Sequence, residues 1–99
     1  MKILALEKEV PGKTAADFQP HLTPEAGKVW ELYQAGVIRE IYFRGDRHEA
    51  VLILECADVA EARETLNALP LVKARLIDFE IIPLVAYPGF ARLFATSPR

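Results

Sequence analysis

The order of apolar and polar residues along this chain divides it into six elements. Lys2 to Glu9 begins with apolar residues on both sides of the backbone and stops at Val10-Pro11-Gly12, where proline removes a donor and glycine permits a turn, so a strand is predicted over 2–9. No period is evident from Lys13 to Leu22. Thr23-Pro24-Glu25 then has the form of an N-cap, a proline at the first helical position and an acid in the first turn. Ala26, Val29, Leu32 and Tyr33 share one helical face, and Ala35-Gly36 supplies a stop, which predicts a helix over 24–35.

Val37 to Phe43 turns to β-branched and aromatic residues, Arg44 to Glu49 is a polar turn, and Ala50 to Glu55 is apolar on both sides, the pattern of a hairpin. The second of these strands reads as central and the first, interrupted by Arg39 and Glu40, as an edge. Asp58 with Glu61 three residues later has the form of a capping box, and Val59, Ala62, Leu66 and Leu69 line a helix over 59–69 that must end before Pro70. Leu76 to Leu84 alternates as a strand, which Pro83 marks as an edge. The order β, α, β, β, α, β over 1–99 predicts a single α+β domain of ferredoxin-like type with an antiparallel four-stranded sheet. Two helices cover one face of such a sheet, yet this one is apolar on both, so a second sheet is expected on the open face.

Length points the same way. A chain of 99 residues buries only about 60 to 65% of the surface its unfolded form exposes, which makes a homodimer or higher homo-oligomer a natural supplement. Twelve Lys and Arg against fourteen Asp and Glu give a net charge of −2, without a basic stripe to meet nucleic acid. The single Cys56 excludes an internal disulfide and fits a reducing compartment, so the cytoplasm is the expected location. The N-terminus is too short and too charged for a signal peptide, and no apolar run reaches the ~18 residues of a membrane span. His21 and His48 lack the spacing of a metal site, and neither a Gly-rich phosphate loop nor a Ser-His-Asp pattern is present, so no metal and no cofactor are expected.

The residues left to carry chemistry are few. The Arg39 guanidinium in an otherwise apolar strand is suited to gripping a carboxylate or an enolate oxygen, or else to pairing with Glu40, Glu55 or Glu80. Arg44, Asp46, Arg47, His48 and Glu49 bring an imidazole among carboxylates and cations, as a general base or as a solvated turn. Glu7 and Glu40 lie within strands, and either would gain a raised pKa if it faced an enclosed space. Trp30 and Tyr42 can stack on a planar ligand or simply pack, and His21 stands at a helix entry. The aromatic tail over 85–99, with Tyr87, Phe90 and Phe94, reads either as an arm for a neighbouring subunit or as a segment folded back on its own sheet.

The run from Leu32 to Leu71 resembles the muconolactone isomerases, on Leu32, Gly36, Arg39 three residues beyond that glycine, Val59, Thr65-Leu66 and the triplet Leu69-Pro70-Leu71, with Val10-Pro11 a weaker match. The resemblance implies a ferredoxin-like subunit whose sheet packs on a partner's sheet as a dimeric α+β barrel, often assembled into a decamer, and a cofactor-free enzyme that moves a proton within an unsaturated lactone. Of the family's functional residues only Arg39 carries over. Ile38, Glu40, Phe43-Arg44 and Asp46-Arg47-His48 stand where the isomerases have other side chains. The functional expectation is an isomerase acting on a small lactone or carboxylate, with Arg39, Tyr42 and Arg44 binding substrate and His48, Glu40 or Glu7 moving the proton. A non-catalytic ligand-binding or assembly module, and a cofactor-free monooxygenase of the same fold, are the alternatives.

Overall fold

Helical structure starts earlier than the pattern of apolar residues predicted. In the computed structural model, which describes residues 1–95, the Asp17 carboxylate accepts hydrogen bonds from the Thr14 amide and hydroxyl and opens a short helix α1, Ala15–Phe18. A single turn of 3-10 helix, Gln19–His21, leads directly into α2, Leu22–Gln34. The expected N-cap at Thr23 is therefore not one: the preceding turn already supplies the helical path, and Pro24 falls in the first turn, where a missing N–H leaves no bond unmade. At its other end α2 closes as the sequence indicated. Gly36 takes a φ of +78°, its amide donates to the Tyr33 carbonyl and that of Val37 to Leu32, satisfying two of the last carbonyls of the helix.

The remaining elements are β1 (Lys2–Glu9), β2 (Ile38–Phe43), β3 (Ala50–Glu55), α3 (Val59–Asn67), α4 (Pro70–Lys73) and β4 (Ile77–Pro83). Helix α3 starts on the expected cap, with the Asp58 side chain accepting from the Glu61 amide at 2.8 Å. It is shorter than predicted, because Pro70 not only stops it but begins α4, a position that suits a fixed φ and no donor. Arg75 then occupies the left-handed region at φ 61°, the place Gly36 fills after α2. A side chain costs about 1 kcal/mol there, so Arg75→Gly is expected to stabilise the fold by about 0.5 kcal/mol after glycine's own entropy is deducted; urea titration reads the change.

The sheet runs β2-β3-β1-β4, all antiparallel, so the strands read as central and as edges take those places. Side chains alternate across it. Ile3, Ala5, Leu52, Leu54, Ile77 and Phe79 are buried beneath the helices against Ala62, Leu66, Leu69 and Leu71. On the opposite face Leu4, Leu6, Val51, Ile53 and Ile82 are only half-buried, and among the described residues both longer helices lie on the other side. In β2 the register steps between Ile38, opposite Leu54, and Glu40, opposite Ile53, which leaves Arg39 as the extra residue of a bulge.

After β4 the Leu84 amide still donates to the Lys2 carbonyl, and then the chain leaves the sheet. Val85 is 89% exposed and Phe94 77%. Tyr87 and Phe90 touch edge to face, with centroids 5.0 Å apart. The last four residues of the segment expected as an arm over 85–99 lie outside the described residues. Among the described residues no helix is long and apolar enough to cross a membrane.

Candidate functional site

Two concavities flank helix α2, and they divide the residues that the sequence grouped together. The larger, about 590 Å³, lies between α1, α2 and the inner face of the sheet. Its walls are mostly apolar: Phe18, Val29, Ile41, Phe43, Leu52 and Phe79 contribute to them. The polar side chains reaching it include Glu7, Glu9, Lys13, Glu25 and His48.

Glu7 arrives there through strand periodicity, two residues beyond Ala5 and four beyond Ile3 on the same face of β1. Its Oε1 accepts a hydrogen bond from the Ala50 amide at 3.2 Å. Burial pushes its carboxyl above the usual carboxylate range, the Ala50 bond works against that, and the charges of Glu9 and Glu49 add to it. His48 sits above, its ring stacked on Phe43 with centroids 4.1 Å apart and planes at 21°. The hairpin holds it there. Arg44 makes two bonds to Asp46, at 2.9 and 2.7 Å, and Arg47 pairs with Glu49 at 3.3 Å. Arg44 is thereby committed to closing the turn and does not line the cavity.

Glu25, which the sequence marks only as a first-turn acid, also lines this cavity. Its helix carries Leu22, Ala26 and Val29 toward the cavity, and Glu25 stands on that same stripe, half-buried. An acid on an apolar stripe was the available signal. Its Oε1 accepts from the Leu71 amide at 2.9 Å, capping the first turn of α4, and burial raises its carboxyl pKa against that bond.

The smaller concavity, about 460 Å³, lies along the free edge of β2 and is lined by Trp30, Tyr33, Arg39, Glu40 and Tyr42 among others. Trp30 and Tyr33 stack at 5.9 Å, and the Tyr42 hydroxyl donates to Glu40 at 2.7 Å, which raises the tyrosine's pKa. Arg39 bends back so that its Nε donates to the Gly36 carbonyl. Among the described residues it forms none of the ion pairs considered for it. Arg39, Glu40 and Tyr42 thus gather in one groove and Glu7 and His48 in the other, while His21 caps α2 by position and lines neither. Arg39→Met is accordingly expected to lower stability by no more than about 1 kcal/mol, the worth of one exposed hydrogen bond, and to leave ligand binding in the larger cavity unchanged, which paired thermal melts and titrations check.

Burial of Glu7 and Glu25 gives stability a pH signature. A carboxyl whose folded pKa is raised contributes stability that is complete below the ordinary carboxylate range and is lost as pH rises through the folded value. Glu25→Gln keeps an oxygen for the Leu71 amide and removes the charge. Its melting temperature is expected to match wild type near pH 4 and to exceed it near pH 7 by roughly 1 to 3 °C, the size appropriate to a half-exposed group in a small domain. Melts across that range test the sign.

With the geometry described, comparison with known proteins places the architecture. Neither a protein-family model nor a curated protein sequence matches the chain. Solved structures do. The class is the ferredoxin-like α+β subunit with a four-stranded antiparallel sheet. Within it, the chain has the fold of muconolactone isomerase: a crystal structure of that enzyme superposes with a TM-score of 0.73 over 90% of this chain and 93% of the other, at 19% identity. A 5-chloro-2-hydroxyhydroquinone dehydrochlorinase from Burkholderia phenoliruptrix, solved with 2,5-dihydroxybenzoquinone, superposes with a TM-score of 0.64 over 90% and 98% of the two chains, at 18% identity. The fold that the resemblance in sequence implied is thus the fold the chain has.

Proposed function

We propose that this protein is a cofactor-free catalyst of proton transfer on a small ring compound held between α2 and the sheet, an isomerase in its simplest form. The observation that carries the reading is Glu7, a half-buried carboxylate among apolar walls with its pKa raised by that burial. A base tuned upward is better matched to removing a proton next to a carbonyl near neutral pH. In an unsaturated lactone the step runs as follows. Glu7 takes the proton from the ring carbon beside the carbonyl, the C–H electron pair moves into the ring, and negative charge collects on the carbonyl oxygen as a dienolate. The Glu7 carboxyl, its hydrogen exchanging with solvent at the cavity mouth, then delivers a proton to the dienolate: return to the first carbon exchanges its hydrogen with solvent, delivery to the far end completes the isomerisation, and no electron is gained or lost. His48, fixed on Phe43 at the same cavity, stands as the hydrogen-bonding partner of the developing charge.

A second copy belongs to the proposal. Leu4, Leu6, Val51, Ile53 and Ile82 form an apolar sheet face that the described residues leave half-exposed, and a partner's identical face is the complement that would close a dimeric barrel. The exposed segment from Val85 to Phe94 offers further apolar surface to such an assembly.

The experiment is deuterium incorporation from D2O into α-angelica lactone, a neutral unsaturated lactone, followed by NMR. Enzyme-dependent exchange at the carbon beside the carbonyl, with migration of the double bond, is the expected result. Exchange no faster than in buffer with the denatured chain would refute the catalytic reading.

A further inference from the structure

The larger cavity is unusual in the sign of its charges, and this sets the chemistry of what it can hold. Its carboxylates come from opposite walls: Glu7 and Glu9 from β1 and Glu25 from α2. Facing them are one ammonium, that of Lys13, and the His48 imidazole. None of the described arginines lines it. Arg39 lies at the other groove, Arg44 and Arg47 are spent on Asp46 and Glu49, and Arg63 on Asp78 at 2.9 Å. Glu7 and Glu25 are arranged alike. In each, Oε1 is held by a backbone amide, of Ala50 or of Leu71, and among the described residues Oε2 accepts no hydrogen bond.

We infer that this cavity selects an uncharged ring compound bearing a hydroxyl or carbonyl group and rejects a carboxylate, with Glu25 a specificity-determining residue on the wall opposite Glu7. The inference rests on the reading of the cavity as a ligand site, and it departs from the expectation of a carboxylated substrate gripped by Arg39. A ligand hydroxyl can donate to the open oxygen of Glu25. A ligand carboxylate would meet three like charges across low-dielectric apolar walls, where repulsion is far less screened than in water. With an acid so disfavoured, Glu25 holds the ring across from Glu7 and orients the carbon from which the proton is taken.

The test is a matched pair of probes, 4-hydroxybenzyl alcohol and 4-hydroxybenzoate, which share ring and hydroxyl and differ in charge, titrated calorimetrically near neutral pH. The alcohol is expected to bind roughly tenfold tighter or more, the size of a single partly screened like-charge contact. Glu25→Gln, its fold verified by circular dichroism, should narrow that ratio about threefold or more by admitting the acid. Lys13→Glu, an exposed substitution that does not threaten the core, should widen it. Equal or tighter binding of the benzoate, no saturable binding of either probe, or a ratio indifferent to both substitutions would overturn the inference. Its failure is distinct from that of the catalytic proposal: preference for the alcohol without deuterium exchange sinks only the catalysis, and exchange with preference for the benzoate sinks only the selection.

Discussion

Glu7→Gln is expected to slow deuterium exchange into an unsaturated lactone by roughly 100- to 10,000-fold, the contribution of a positioned general base, while the chain stays folded. The substitution keeps the volume of the side chain and leaves an oxygen to accept from the Ala50 amide, so the hydrogen bond at 3.2 Å survives. What is lost is the charge that takes the proton. Because burial disfavours that charge in the folded state, the variant should be no less stable than wild type above the ordinary carboxylate range. A base removed at no cost in stability separates function from structure. Parallel exchange rates and melting curves are the readout, and a variant that melts early while retaining most of its rate would assign Glu7 a structural role.

On the proposed dimeric barrel, Ile53→Lys is expected to leave only the 11.1 kDa monomer. Ile53 sits on central strand β3, opposite Leu4 on β1 and Glu40 on β2, in the middle of the uncovered apolar face. An ammonium there is harmless in a monomer, where it faces water, and costs several kcal/mol if a partner's sheet desolvates it, so a dimer should weaken by roughly 100-fold or more. Helix packing on the other face is untouched. Sedimentation equilibrium of both proteins at micromolar concentration decides: wild type already sedimenting as the 11.1 kDa species would remove the dimeric barrel from the proposal.

Much of the architecture was legible because it depends on local signals. The strand limits 2–9 and 50–55, the Gly36 stop and the Asp58 cap are set by alternation, left-handed backbone and side-chain capping, which act within a few residues. The early start of α1 and α2 was not legible, because Lys13 to Leu22 has no apolar period; there the Thr14–Asp17 contact starts the helical path instead. The end of α3 was placed too late for a related reason: Pro70 both stops one helix and starts the next, and its position admits either reading.

The placement of the candidate site residues was half legible. Glu7 could be placed on the inner face by counting from Ile3, and its half-burial then follows. Arg39 could not, since the bulge that gives β2 an extra residue is invisible in the sequence and shifts every inference about which side a β2 residue faces. Glu40 and Tyr42 went with it to the outer groove. Glu25 was hidden behind its ordinary role as a first-turn acid, although its place between Leu22 and Val29 on the helix stripe pointed inward.

The claim on which the rest depends is that the chemistry belongs to the cavity between α2 and the sheet rather than to the aromatic groove along β2. Backbone amide shifts of the isotope-labelled protein, mapped during titration with α-angelica lactone, test it most directly. The expected result is movement of Ala50 and Leu71, whose amides donate to Glu7 and Glu25, together with Phe43 and His48. Shifts confined to Trp30, Tyr33, Arg39 and Tyr42, or no saturable shift at all, would contradict it.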